Sequence, residues 1–388
     1  MKQVIRREIK EDNGIKYENN IYTLLLDMNS IMKMAISADH RVNLKGVEYG
    51  MVFQTLLQIK MMLNKKDWDF VYAMYDGYKS GELRYSYYPD YKIDRGKEYE
   101  GIAYESEYDK KIAEYCRKVI AYHQKNRKPV KRSETDDESF RRQREIIQKM
   151  LDELFIRQVM CDYVEGDDLI AYYVKHKKEN EKIVIFSGDR DLTQLISDDV
   201  CVYVSQLKKF VTPSNHVELI GYTHENVLLK KVICGDASDS IKGIKGVGEK
   251  TFFNLFPKAK KEKMSLDEVI NECKLMSEER KNNKKKPLKS IDNIINRITD
   301  GCQGEKIYEI NTKIIDLSNP LLTKEAIDEM DNTMYAPIDP EGRDYKNIYS
   351  IVTENGMADL MDEKNFGSFF GSFEGIKKKE IEYFKKNI

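Results

Sequence analysis

The sequence predicts an α/β fold, a mostly parallel central sheet flanked by helices. Two observations carry that expectation. Short apolar runs of strand length alternate with longer segments of helical periodicity, and such alternation implies a parallel sheet covered on both faces. The apolar runs also end on aspartates, and in doubly wound sheets sites form beyond the carboxyl ends of the strands.

The first run, IYTLLLD (21–27), has a length that suits a buried strand and closes on Asp27. Apolar positions recur at helical spacing through 47–63. DFVYAMYD (69–76) reads as a second strand, closing on Asp76. Helices are expected over 145–160 and over EGDDLIAYYVKHKK (165–178). KIVIFSGDRD (182–191) is a strand, a Ser-Gly turn and then Asp189 and Asp191, and VCVYVS (200–205) is a further strand. Three strands thus deliver carboxylates to one edge of the sheet. Residues 90–144 are charged, tyrosine-rich and too long for a plain connection. Residues 258–289 read as a basic helical hairpin or arm, and 290–388 carry further helical signals and an aromatic stretch, FGSFFGSF (366–373).

Composition narrows the function less than the pattern does. The 388 residues carry a formal net charge of −1, so a polyanionic partner would have to be met by segregated charge, and Lys and Arg do concentrate around 117–144 and 258–289. The 6 cysteines are scattered without a CxxC pair, which points to reduced thiols and away from zinc or a disulfide framework. The first twenty residues have no apolar leader core, and no run is long enough to cross a membrane, so a cytoplasmic setting is expected.

Taken singly the acidic motifs are ordinary. An Asp after a strand is a common helix N-cap, EGDDL (165–169) suits an acidic first helical turn, and SGDRD (187–191) suits a turn. Their joint occurrence at successive strand ends is not ordinary. Carboxylates brought together resist ionisation unless a cation compensates them, and hard oxygen ligands in that number suit Mg²⁺ or Mn²⁺. Two such ions about 4 Å apart are the known apparatus for phosphodiester cleavage. In GDASDSIKGIKGVGEKT (235–251), Asp236 and Asp239 share a face if helical. Gly243, Gly246 and Gly248 then permit a hairpin close to a phosphate, and a helix starting near Glu249–Lys250 offers its amides. With Lys242, Lys245 and Lys250 around it, this reads as a hairpin that binds nucleic-acid backbone rather than a plain interhelical turn.

The order LLLDMNS, YDGYKSGELRYSYYPDYKIDR, EGDDL, SGDRDLTQL and ICGDASDSIKGIKGVGEKT resembles the flap endonuclease / 5′→3′ exonuclease family. That family includes the 5′-nuclease domain of bacterial DNA polymerase I and phage ribonuclease H or exonuclease enzymes, and the resemblance spans roughly residues 20–256. It implies a PIN-like, resolvase-like catalytic domain over 1–222 with a helical arch at 97–145. A helix–hairpin–helix element over 223–257 would bind duplex DNA, whereas 258–388, read as a basic arm and a helical C-terminal region, lies outside the resemblance and has no assigned role. By resemblance, Asp27, Asp76, Glu165 and Asp167 would ligate a first metal. Asp189, Asp191 and Asp236, with Asp167 shared, would ligate a second, and Asp168 and Asp239 match further acids of the bacterial and phage branch. Tyr91 would stack on a base, Lys92 would act in catalysis and Arg95 would lie near the scissile phosphate, with Arg84 a weaker part of the same cationic wall. Ser240, Ile241 and Ile244 would supply ligands to K⁺, and Lys231 and Lys250 would face DNA.

These expectations amount to a nuclease acting by a two-Mg²⁺ (or Mn²⁺) mechanism in DNA replication or repair and leaving 5′-phosphate and 3′-hydroxyl ends. Its partners would be branched or flapped DNA or RNA–DNA hybrids, along with a polymerase or single-strand binding protein, and the chain is expected to be a monomer. The rivals are a PIN-type RNA endonuclease, which would lack the GIKGVG hairpin, and an inactive branched-DNA-binding protein, which would be expected to have lost acids.

Overall fold

A computed structural model describes residues 20–92, 134–361 and 363–387. The central sheet has six strands: β1 (Ile21–Asp27), β2 (Phe70–Asp76), β3 (Arg157–Cys161), β4 (Glu181–Ser187), β5 (Val200–Val204) and β6 (Lys209–Val211). Their spatial order is β3-β2-β1-β4-β5-β6. All neighbours run parallel except β6, which pairs antiparallel with β5. The chain builds outward from β1 through β2 to β3, then returns to the other side of β1 with β4. The switch point where the order reverses is therefore between β1 and β4, where a cleft opens at the carboxyl edge.

The alternation within β1 assigns its residues to two cores. Leu25 packs into one with Tyr72, Met74, Tyr173 and Ile185, while Leu24 and Leu26 pack into the other with Ile31, Leu56 and Ile147. A third core joins the helix Val227–Cys234 to Phe252, Phe256, Val269 and Ile294. The C-terminal third is shared among all three. Ile310, Ile314 and Met330 join the first core, Ile348, Phe370 and Phe373 the second, and Ile307 and Tyr308 the third.

Two sequence expectations fail for identifiable reasons. The segment 145–160 is not one helix: the helix Glu134–Glu153 stops short of β3, which begins at Arg157. Between them Phe155 takes φ +59 in the left-handed region, and its ring is 1% exposed. Burial of a large aromatic holds a turn that a glycine usually marks. Asp236 and Asp239 do not share a helical face either. Gly235–Asp236 and Ile241–Lys242 form a two-stranded antiparallel hairpin, β7 and β8, and Asp239 lies in its turn. Of the expected arch, 97–133 and its arginines and lysines lie outside the described residues, as do Arg95 and 1–19.

Candidate active site

The cleft at the carboxyl edge has a volume of about 660 Å³ and is lined by Asp27, Asp76, Glu165, Asp167, Asp189 and Asp239 among others. The acids arrive on separate elements, except that Glu165 and Asp167 share one helix start. Asp27 ends β1 and caps the helix Met28–Ala38, its Oδ1 accepting the Ser30 N–H at 3.0 Å while Oδ2 accepts the Ser187 hydroxyl at 2.5 Å. Asp76 ends β2 and accepts the Gly166 N–H at 2.9 Å. Glu165 caps the helix Gly166–Lys175, whose first turn holds Asp167 and Asp168. Asp189 follows β4, and its Oδ1 accepts the Asp191 N–H at 2.8 Å.

Asp27, Asp76 and Asp189 line this cleft alone, and Asp167 crowds against them; Glu165, expected with the same set, is instead engaged by Lys92, Arg84 and Tyr91. Burial, together with the charges of Asp76 and Asp189, pushes Asp27 up to about 7. Burial and the same crowding, with Asp27 foremost, raise Asp167 well above the usual carboxylate range. Burial of mutually repelling carboxylates is the condition that a hard cation relieves. The donor set, all carboxylate oxygens with no thiol or imidazole, fits Mg²⁺ or Mn²⁺.

A second set lies beside the first. Asp191, Asp236 and Asp239 each offer an oxygen, and those oxygens lie within 4.8 Å of one another. Asp239 borders both sets, as do Asp167 and Glu165. Asp189, expected with the second set, lines the cleft with the first. Asp239, expected as an accessory acid, completes the second.

Several expected roles meet a different geometry. Arg84 is 6% exposed and donates to both oxygens of Asp168 at 2.5 and 3.0 Å, so neither residue presents itself to the cleft as expected. Asp168 also accepts the Leu321 N–H at 2.9 Å. Tyr91 has no free ring face for a base: it is 1% exposed, and its hydroxyl donates to Glu165 at 2.8 Å. Lys92 does reach the cleft, with Nζ 2.5 Å from Glu165 and 3.8 Å from Asp239. Burial works against ionisation of Glu165, but Lys92 and Arg84 outweigh it and hold its carboxyl at about 2. Lys231, expected to face DNA, is buried and pairs with Asp191 and Asp236.

The hairpin is closed by glycine. A Cβ on Gly243 would meet the Cys234 carbonyl carbon at 2.1 Å, so that residue serves strand closure rather than phosphate approach. Gly246 (φ +74) and Gly248 have open space around them, and Lys242 and Lys250 are exposed. The Ser240 carbonyl accepts the Tyr88 hydroxyl at 3.0 Å, and the Ile244 carbonyl accepts the Val247 N–H at 3.0 Å. Ile241 pairs with Asp236 in the hairpin.

Sequence reading missed the residues that hold the acids in place. Ser187 bridges Asp27 and the Asp189 N–H, Ser30 accepts the Gly188 N–H at 2.8 Å, and Ser238 donates twice to Asp236. Serines carry no pattern, although Ser187 and Ser238 stand beside the acids they serve.

Residues 22–221 match the model of the 5′-3′ exonuclease, N-terminal resolvase-like domain. The chain belongs to the 5′-3′ exonuclease family. A stretch of 131 residues is 37% identical to DNA polymerase I of Bacillus subtilis, covering 32% of this chain and 15% of that protein. Another of 92 residues is 38% identical to a 5′-3′ exonuclease of Mycoplasmopsis pulmonis, covering 24% of this chain and 31% of that one. This member of the family therefore spans less than a third of the length of either relative. Its fold resembles the 5′-exonuclease of T5 with bound zinc, at a TM-score of 0.53 and 16% identity, over 92% of this chain and 99% of that one. It also resembles the bacteriophage T5 D15 flap endonuclease solved with DNA and metal ions, at a TM-score of 0.52 and 17% identity, over 86% and 99%.

Proposed function

We propose that this member of the 5′-3′ exonuclease family is a structure-specific 5′-nuclease that hydrolyses phosphodiesters in branched or flapped DNA with two divalent ions. The convergence of acids from three parallel strands, a helix start and a hairpin in one cleft carries this reading. When bound, Mg²⁺ or Mn²⁺ supplies Lewis-acid stabilisation of the phosphodiester and of the attacking water. Asp27, Asp76, Asp167 and Asp189 would hold the first ion and Asp191, Asp236 and Asp239 the second, with Asp167 between them. Glu165, neutralised by Lys92 and Arg84, orients Lys92 toward the cleft. The Lys92 ammonium then stabilises charge developing on the phosphoryl oxygens, a role that Arg95 would share. The exposed Lys242 and Lys250 with Gly246 and Gly248 would grip duplex backbone. K⁺ at the Ser240, Ile241 and Ile244 carbonyls would support that grip, and duplex affinity should then fall when K⁺ is replaced by tetramethylammonium. The products would be 5′-phosphate and 3′-hydroxyl ends, a chemistry suited to RNA primer removal from hybrids beside a polymerase or single-strand binding protein.

The test is Mg²⁺-dependent cleavage of labelled flap, nicked, hybrid and single-stranded substrates. Cleavage of flap or nicked duplex at the 5′ side is the expected result. Cleavage of single-stranded RNA alone would favour the RNA endonuclease instead, and tight branched-DNA binding with no cleavage would favour the inactive binder.

A further inference from the structure

We propose that Lys231 competes with a divalent cation for the second acidic set, so that an ion enters there only by displacing the Lys231 ammonium. This rests on the two-ion reading above and concerns the order in which the ions bind.

Lys231 lies on the helix Val227–Cys234, whose end leads directly into β7 and Asp236. Its side chain is 10% exposed, and Nζ donates to both Asp191 Oδ1 and Asp236 Oδ2. The other oxygen of Asp236 is also engaged, accepting the Ser238 N–H at 2.9 Å and the Ser238 hydroxyl at 2.6 Å. Asp236 thus has no oxygen without a donor. A Mg²⁺ ion sits about 2 Å from its ligand oxygens, so it cannot share Asp236 Oδ2 and Asp191 Oδ1 with an ammonium bonded to both. Like charges at that separation in a buried site also repel strongly.

The first set is built differently. Asp27, Asp76 and Asp189 accept hydrogen bonds from neutral backbone and hydroxyl donors. Among the described residues no lysine or arginine nitrogen forms an ion pair with them or with Asp167. The first set therefore takes a cation without breaking an ion pair, since Lys92 Nζ in the same cleft is held by Glu165, and the second only after an internal cation has left. The two ions bind in sequence, the second more weakly.

The experiment uses the full chain, stripped by chelator and titrated with Mn²⁺. Calorimetry reads the constants, and electron paramagnetic resonance counts free ion. Lys231→Met and Lys231→Gln should tighten the weaker constant about tenfold or more, the removal of an ionic competitor worth at least one decade. The tighter constant should be unchanged, Lys231→Arg should retain the weak second site, and Asp236→Asn should abolish it. An unchanged or further weakened second constant in Lys231→Met and Lys231→Gln overturns the competition. Fewer than two ions bound by the wild type would instead remove the two-ion reading. Should the variants not melt cooperatively, crystals of the wild type with and without Mn²⁺ decide. Nζ displaced from Asp191 and Asp236 beside the second ion supports the proposal, and Nζ still bonded to both overturns it.

Discussion

The Arg84 guanidinium spans the carboxylate of Asp168 with two hydrogen bonds, and the pair ties the acidic helix to the C-terminal third of the chain. The same guanidinium donates from Nε to the Ile314 carbonyl at 2.9 Å, while Asp168 accepts the Leu321 N–H. Burial opposes charge on Arg84, yet Asp168 and Glu165 outweigh it and raise its pKa well above its ordinary value. Replacing Arg84 by Met leaves a buried carboxylate without its partner and should cost about 3–5 kcal/mol in denaturant unfolding. The Arg84→Met, Asp168→Leu double variant should recover much of that loss. A stable Arg84→Met with weakened DNA affinity would return Arg84 to the cationic wall facing substrate.

Asp167 borders both acidic sets, so its loss should disable both ions at once. Asp167→Asn should abolish Mg²⁺-dependent cleavage and leave flap-DNA affinity within a few-fold of wild type. Undiminished turnover would remove the two-ion assignment.

Lys92 and Tyr91 hold different oxygens of Glu165, Oε1 and Oε2, but only Lys92 reaches the cleft. Lys92→Met should lower the cleavage rate on the order of 10²-fold, as expected for losing a donor to developing charge. Tyr91→Phe removes one hydrogen bond to a charged group and should cost about 1.5–3 kcal/mol of stability. Equal losses of rate in the two variants would mean that positioning of Glu165, rather than the ammonium itself, limits the reaction.

His216 gives the fold a pH dependence of its own. It is fully buried, its Nδ1 is bonded to the Tyr222 carbonyl, and Nε2 has no partner among the described residues. Burial lowers its pKa, and the neighbouring His224 is lowered in the same way. Because the folded pKa lies below the unfolded one, the unfolded chain takes up a proton first on acidification. The histidine contribution to stability is full above about pH 6.5 and falls as pH drops below it, by up to about 1.4 kcal/mol per pH unit per proton. The buried acids of the cleft, Asp27 pushed up to about 7 among them, act in the opposite sense over the same range, so the difference carries the prediction: between pH 7.5 and 5 the wild type should lose stability relative to His216→Phe. An unaltered slope in that variant would place the titration elsewhere.

The last helix is fastened by the buried pair of Arg157 on β3 and Glu380. Glu380→Ala should destabilise by about 3–5 kcal/mol, since it leaves Arg157 buried and unpaired. Loss of only a few tenths of a kcal/mol would show that solvent reaches Arg157 when the partner is gone.

Much of this was legible along the chain because the signals are local. Strand β1 lies where its apolar run ends on Asp27, and β2 closes on Asp76, since a buried parallel strand must be short and continuously apolar. The acids at strand ends follow from the parallel topology, which sends every such end to one edge. Strand β3 was not legible. The apolar residues of 146–156 continue at helical spacing, and the break is made by a buried Phe155 in a left-handed turn that no glycine or proline announces.

The sequence by itself determined strands β1, β2, β4 and β5, their acidic edge and the family, because strand length, period and residue order are properties of neighbours in the chain. Only the tertiary structure decided which acids meet which cations. Arg84 and Asp168 are 84 positions apart, and Lys231 and Asp191 are 40 apart. Whether a lysine faces solvent or sits among carboxylates depends on how separate elements pack, and no local pattern encodes that. Asp168 thus passed from expected ligand to buried partner, and Lys231 from DNA contact to the cation among the second set of acids.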